Sequence, residues 1–76
     1  MAVKLYSTPT CGYCKKVKRY LQEKNVDFRE FNVANDRKRA DEMMKKTGQM
    51  GVPVLDINGK VIVGYKEAEI ERALRR

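Results

Sequence analysis

Two cysteines make up the whole thiol inventory of this chain, and they stand three apart in Thr10-Cys11-Gly12-Tyr13-Cys14, between an apolar strand-like run and a strongly helical one. A dithiol so placed sits at a helix start. Amide N–H groups that lack intrahelical partners, together with the positive end of the helix dipole, stabilise an anion there, so Cys11 should ionise more readily than a free cysteine. The thiolate is the species that attacks a disulfide. Cys14, one helical turn on, can reach back to resolve the mixed disulfide, which makes the pair a redox couple that can be oxidised and recycled. Two other uses of the spacing are weaker. A tetrahedral zinc site needs two further Cys or His ligands, and the chain has no histidine and no third cysteine. A purely structural bridge closing so short a loop would remove little chain entropy.

The composition bounds what else the chain can be. Its 76 residues are expected to form a single domain, 1–76, with a core that must use nearly every apolar side chain available. No apolar run is long enough to mark a membrane span, and Met1 leads straight into Val3-Lys4-Leu5-Tyr6 without the pattern of a signal peptide, so a reducing, cytoplasmic setting is expected. The formal charge of +7 raises the question of nucleic acid. Its distribution argues against one, because the excess lies on helical segments interleaved with acids, as in Arg37-Lys38-Arg39-Ala40-Asp41-Glu42. Lys15, Lys16, Lys18 and Arg19, which follow the dithiol, are better suited to drawing in acidic protein partners.

Elements that could position the dithiol follow from periodicity. Val3 to Ser7 is expected as a strand, and Gly12 to Lys24 as a helix with Tyr13, Val17, Tyr20 and Leu21 on one buried stripe and Asn25 as its stop. Val26 to Val33 reads as a second strand anchored by Phe28, Phe31 and Val33, with two polar residues interrupting its alternation. Asn35 or Asp36 can cap a second helix in which Ala40, Met43, Met44 and Thr47 share a face and Gly48 closes the end. Strands Pro53 to Ile57 and Lys60 to Val63 flank Asn58-Gly59, a hairpin signal because both residues tolerate positive φ, and Lys66 to Leu74 forms the last helix with Ile70, Ala73 and Leu74 inward. The order β-α-β-α-β-β-α implies a first parallel pair, an antiparallel final hairpin, and a four-stranded mixed α/β sheet with helices on both faces.

The stretch Tyr6-Ser7-Thr8-Pro9-Thr10-Cys11-Gly12-Tyr13-Cys14, followed by Gly51-Val52-Pro53-Val54 and then Val63-Gly64-Tyr65, resembles the glutaredoxin-like branch of the thioredoxin superfamily, including compact glutaredoxins and NrdH-type redoxins. The resemblance runs over nearly the whole chain. It implies a thioredoxin-like fold and a thiol-disulfide oxidoreductase in which Cys11 is the exposed nucleophile and Cys14 the buried resolving thiol. It further implies that Pro53 follows a cis peptide bond, that the backbone of Val52 pairs with substrate, and that Thr10, Gly12, Tyr13, Gly64 and Tyr65 border the substrate. The partners it implies are protein disulfides, ribonucleotide reductase among them, with thioredoxin reductase or glutathione as reductant and glutathione as co-substrate; no tightly bound cofactor, metal, membrane or nucleic acid is expected, and the protein is expected to be a monomer. Glutathione-binding members carry a cation three residues before the first cysteine, a Gly-Gly pair and an acid at the last helix. Here those places read Thr8, Val63-Gly64 and Lys66-Glu67, which implies weakened glutathione binding. Two further readings stand beside this one: a glutathione-dependent glutaredoxin acting through Cys11 alone, and an iron-sulfur carrier in which two subunits share a cluster.

Overall fold

Alternation along the strand Val3–Ser7 (β1) sends Val3 and Leu5 to one side and Lys4 and Tyr6 to the other, so a sheet built on this strand has apolar side chains to cover on both faces. The computed structural model, which describes residues 2–75, covers both. After β1 come α1 (Gly12–Glu23), β2 (Arg29–Asn32), α2 (Arg37–Thr47), β3 (Val54–Ile57), β4 (Lys60–Val63) and α3 (Glu67–Leu74), the expected order. The sheet runs β2-β1-β3-β4. β1 and β2 are parallel, with Lys4 opposite Arg29 and Ser7 opposite Asn32, while β1 and β3, and β3 and β4, are antiparallel. This is the thioredoxin-like α/β fold.

On one face Val17, Tyr20 and Leu21 of α1 and Ile70 of α3 pack over Val3, Leu5, Leu55, Ile57 and Ile62. On the other, Met43 of α2 meets Tyr6 and Val54, with Phe31, Val33, Val52 and Val61 around them. The two central strands are therefore sandwiched, and every residue of β3 is buried. Local signals act where they were read. Asp36 caps α2 by accepting the Arg39 amide at 3.2 Å, Gly48 closes it at φ 74°, and the hairpin turns through Asn58 at φ 51° and Gly59 at φ 93°.

Three expectations need correction. The second strand is shorter than Val26 to Val33: only Arg29–Asn32 joins the ladder. Phe28 and Phe31 lie an odd number of residues apart and so point to opposite faces, Phe28 into the α1/α3 core and Phe31 toward α2, which accounts for the broken alternation. Met44 is 39% exposed and outside the core that takes Met43. Tyr13 is 61% exposed and does not join the stripe of α1. It shares a flank of the helix with Tyr20, but Tyr20 is met edge-on by the ring of Tyr65 at 6.4 Å, whereas Tyr13, two turns nearer the helix start, borders an open groove.

Candidate active site

Cys11 is the N-cap of α1, with φ −89° and ψ 113°, and its Sγ accepts the amide N–H of Cys14 at 3.1 Å. In a helix cap that place is normally held by a serine or aspartate oxygen. Here a sulfur takes it. The same N–H, with the dipole behind it, will stabilise a thiolate on Cys11 once the pair is reduced. The two cysteines are joined as a disulfide, with Cα atoms 5.2 Å apart. They differ in access, since Cys11 is half-buried and Cys14 is only 3% exposed. The loop before them is tied by the Cys11 N–H donating to the carbonyl of Thr8 at 3.3 Å. Thr10 and Gly12 are exposed around the sulfurs.

Five other residues singled out from the sequence come together. Tyr13, Val52, Pro53, Gly64 and Tyr65, with Lys66, line one open groove of about 380 Å³. The Val52-Pro53 bond is cis, as the resemblance implied. Gly64, at φ 88°, donates its N–H to the carbonyl of Pro53 at 2.8 Å, so the end of the hairpin is pinned against the start of β3. A side chain at Gly64 would strain that turn. Tyr13 stands between the cysteines in sequence and in the groove wall in space, so the groove opens beside the dithiol. Thr10 and Gly12 do not line it. A second cleft of about 380 Å³, lined by Ile57, Asn58, Lys60, Glu69, Arg72 and Ala73, lies by the Asn58-Gly59 turn and holds none of the residues predicted for the site.

The loop leading into Val52-Pro53 is held by side chains. Thr47 Oγ1 accepts the Gln49 N–H at 3.2 Å, and the Gln49 carboxamide both donates to the Gly51 carbonyl and accepts the Gly51 N–H. One turn along α1 from Cys14, Lys18 pairs with Glu30 at 3.0 Å, and Ser7 donates to the same carboxylate at 2.8 Å. Partial burial pushes the Glu30 carboxyl upward, but the hydrogen bonds from Ser7 and Lys18 and the Lys18 charge outweigh it and hold the group below its ordinary value.

Lys66, read from the sequence as standing where an acid would meet glutathione, is part of the groove wall. Sequence reasoning passed over one feature. A polar cluster lies between α2 and the sheet, where Lys46 Nζ donates to the Asp56 carboxylate and, at 2.9 Å, to Tyr6 Oη, while Asp56 also accepts the Gly59 N–H at 2.8 Å. Nothing local in the sequence pairs residues ten and forty positions apart.

A glutaredoxin family model matches residues 3–62. A glutaredoxin-like 8.6 kDa protein in the rubredoxin operon of Clostridium pasteurianum is 50% identical over 74 residues, covering 97% of this chain and 99% of that one. The crystal structure of the glutaredoxin Grx-1 from Archaeoglobus fulgidus superposes with a TM-score of 0.90 at 27% identity, over 100% of this chain and 89% of that one. Escherichia coli NrdH-redoxin, a glutaredoxin-like protein with a thioredoxin-like activity profile, superposes with a TM-score of 0.86 at 25% identity, over 100% and 97%.

Proposed function

This chain belongs to the glutaredoxin family, and we propose that it reduces protein disulfides by dithiol exchange through Cys11 and Cys14. The observation that carries the reading is the asymmetry of the pair. Cys11 is accessible, caps a helix and receives an N–H at its sulfur, whereas Cys14 is buried one turn inside. In the reduced protein the Cys11 thiolate bonds to one sulfur of a substrate disulfide as the S–S bond breaks, and the other substrate sulfur leaves as a thiolate that takes up a proton. Cys14, having lost its proton, then bonds to the Cys11 sulfur, the mixed disulfide breaks and the second substrate sulfur leaves. Two electrons pass to the substrate. The protein ends as the Cys11–Cys14 disulfide.

Val52 and Pro53 supply the groove wall against which an extended substrate lies, opposite Tyr13, with Gly64 and Tyr65 completing it. Thr10 and Gly12 border the sulfurs. Recycling needs two electrons from an external thiol donor, and we assign that role to an enzyme of the thioredoxin-reductase type. Two observations support this over glutathione: Thr8 places no cation before the dithiol, and Lys66 brings a cation to the groove where an acid would meet a glutathione amine. The proposal includes ribonucleotide reductase among the acceptors, as the resemblance to NrdH-type redoxins implies.

Two experiments test this. A Cys14→Ser variant should trap a mixed disulfide with a protein substrate through Cys11, and Cys11→Ser should trap none; trapping through Cys14 would reverse the assignment. Oxidised protein supplied with NADPH and either thioredoxin reductase or glutathione plus its reductase should turn over faster with the former. Faster turnover with glutathione would replace the assigned reductant.

A further inference from the structure

From the distribution of charge around the groove, we propose that the substrate segment this site recognises is acidic, with an apolar side chain beside the target cysteine and Asp or Glu residues flanking it. The inference rests on the disulfide-reducing function proposed above and names its substrate class. The groove wall is made of Tyr13, Val52, Pro53, Gly64 and Tyr65, and the one charged side chain in it is Lys66. Tyr13 is 61% exposed, and Lys16 Nζ stands 5.2 Å from its ring centroid. One cation therefore stands in the groove wall and another lies over the ring of a wall residue.

The surroundings extend the same sign. Between Gly12 and Gln22 the helix carries Lys15, Lys16, Lys18 and Arg19 and no acid, and its positive dipole end lies at the sulfurs. Lys18 is matched by Glu30. Among the described residues, Lys15, Lys16, Arg19 and Lys66 enter no ion pair. Lys15, Lys16 and Arg19 are exposed, as is Lys66, which is followed by Glu67 and Glu69 in the first turn of α3. Arg39, Lys46 and Arg75 are paired with an acid and cations elsewhere such as Lys4, Lys24 and Lys60 are not, so what sets this end apart is the acid-free stretch of helix that follows the cysteines. Cations left unpaired beside a reactive sulfur are well placed for meeting carboxylates of a partner. A field of this kind raises the encounter rate with anionic segments and weakens with salt, since the Debye length is about 10 Å at 0.1 M.

The test uses two synthetic disulfide peptides of equal length, one with Asp and Glu on both sides of the cystine and one with Lys at the same places, reduced by the full-length protein. At low salt kcat/KM should favour the acidic peptide by about tenfold or more, and the ratio should fall toward one by roughly 0.5 M NaCl. The triple variant Lys15→Glu, Lys16→Glu, Lys66→Glu should abolish or invert the ratio. The charge-changed control Lys60→Glu, Arg72→Glu, at the cleft by the Asn58-Gly59 turn, should preserve it. Equal rates on both peptides would overturn the proposal, as would a control that loses the preference as fully as the triple variant, since net charge alone would then explain it. If neither peptide is reduced although Cys11 alkylates normally, the underlying function is wrong and this inference falls with it.

Discussion

Replacing Lys46 by Met should destabilise the fold by roughly 2–3 kcal/mol at neutral pH and by much less in acid. Methionine keeps most of the apolar stem of Lys46 and removes only its charged head. That head serves the Asp56 carboxylate and Tyr6 Oη, in a place where the two charged side chains are 23% and 12% exposed. Removing one partner of a fully buried pair costs about 3–5 kcal/mol, and the residual access of water here sets the lower figure. For a chain of 76 residues, with a total stability of about 4–11 kcal/mol, the loss is large, and Tm should fall by roughly 8–24 °C. The pH dependence carries the sign. Burial pushes the Asp56 carboxyl up, but the Lys46 hydrogen bond, the Gly59 N–H and the Lys46 charge outweigh it and hold the group below its ordinary value. Its contribution is therefore present above the unfolded pKa of about 3.9 and is lost as pH falls through the lower folded value. Without Lys46 the burial effect should prevail, so protonation of Asp56 would relieve the folded state and the gap between the two proteins should narrow below about pH 4. Lys46 is held above its ordinary value because its bonds to Asp56 and Tyr6 outweigh its own burial, so its contribution fades only at strongly alkaline pH. The assay is urea unfolding followed by circular dichroism at pH 7 and pH 3.5, with the dithiol in one fixed redox state and exposed Lys45→Met as control. A loss under about 0.5 kcal/mol at pH 7, or one equal at both pH values, would refute the reasoning.

Three further outcomes are expected. In reduced protein, Cys11 should be alkylated well below pH 8 while Cys14 stays protected, and equal rates at pH 6 would contradict the helix-cap assignment. Tyr20→Phe should leave stability unchanged or raise it by up to about 1 kcal/mol, because the Tyr20 hydroxyl is buried without a hydrogen-bond partner among the described residues; thermal unfolding that shows a loss above 1 kcal/mol would mean the hydroxyl is satisfied. Thr8→Lys with Lys66→Asp should raise glutathione-dependent turnover at least tenfold, since charge-assisted hydrogen bonds contribute about 1.5–3 kcal/mol each, and no change in a coupled NADPH assay would discard the account of the weakened glutathione contacts.

What the chain itself determined is whatever depends on neighbours within one turn. The dithiol at a helix start, the cap at Asp36, the left-handed stop at Gly48 and the Asn58-Gly59 hairpin all rest on interactions a few residues long. Periodicity likewise marked Val17, Tyr20 and Leu21 as one stripe, because the helix repeat is itself local. The same repeat placed Tyr13 with them. Its exposure was decided by where the approach to α3 stops, since Tyr65 covers Tyr20 and leaves Tyr13 to the groove. Resemblance named Val52, Pro53, Gly64 and Tyr65 one by one, but only the fold drew them against Tyr13 and set Lys66 among them, through the Gly64 to Pro53 hydrogen bond that pins the hairpin end. The Lys46, Asp56 and Tyr6 cluster was not legible at all. Its members lie on α2, β3 and β1, and a lysine in an exposed-looking helix pattern becomes half-buried only when the sheet presents a carboxylate beneath it.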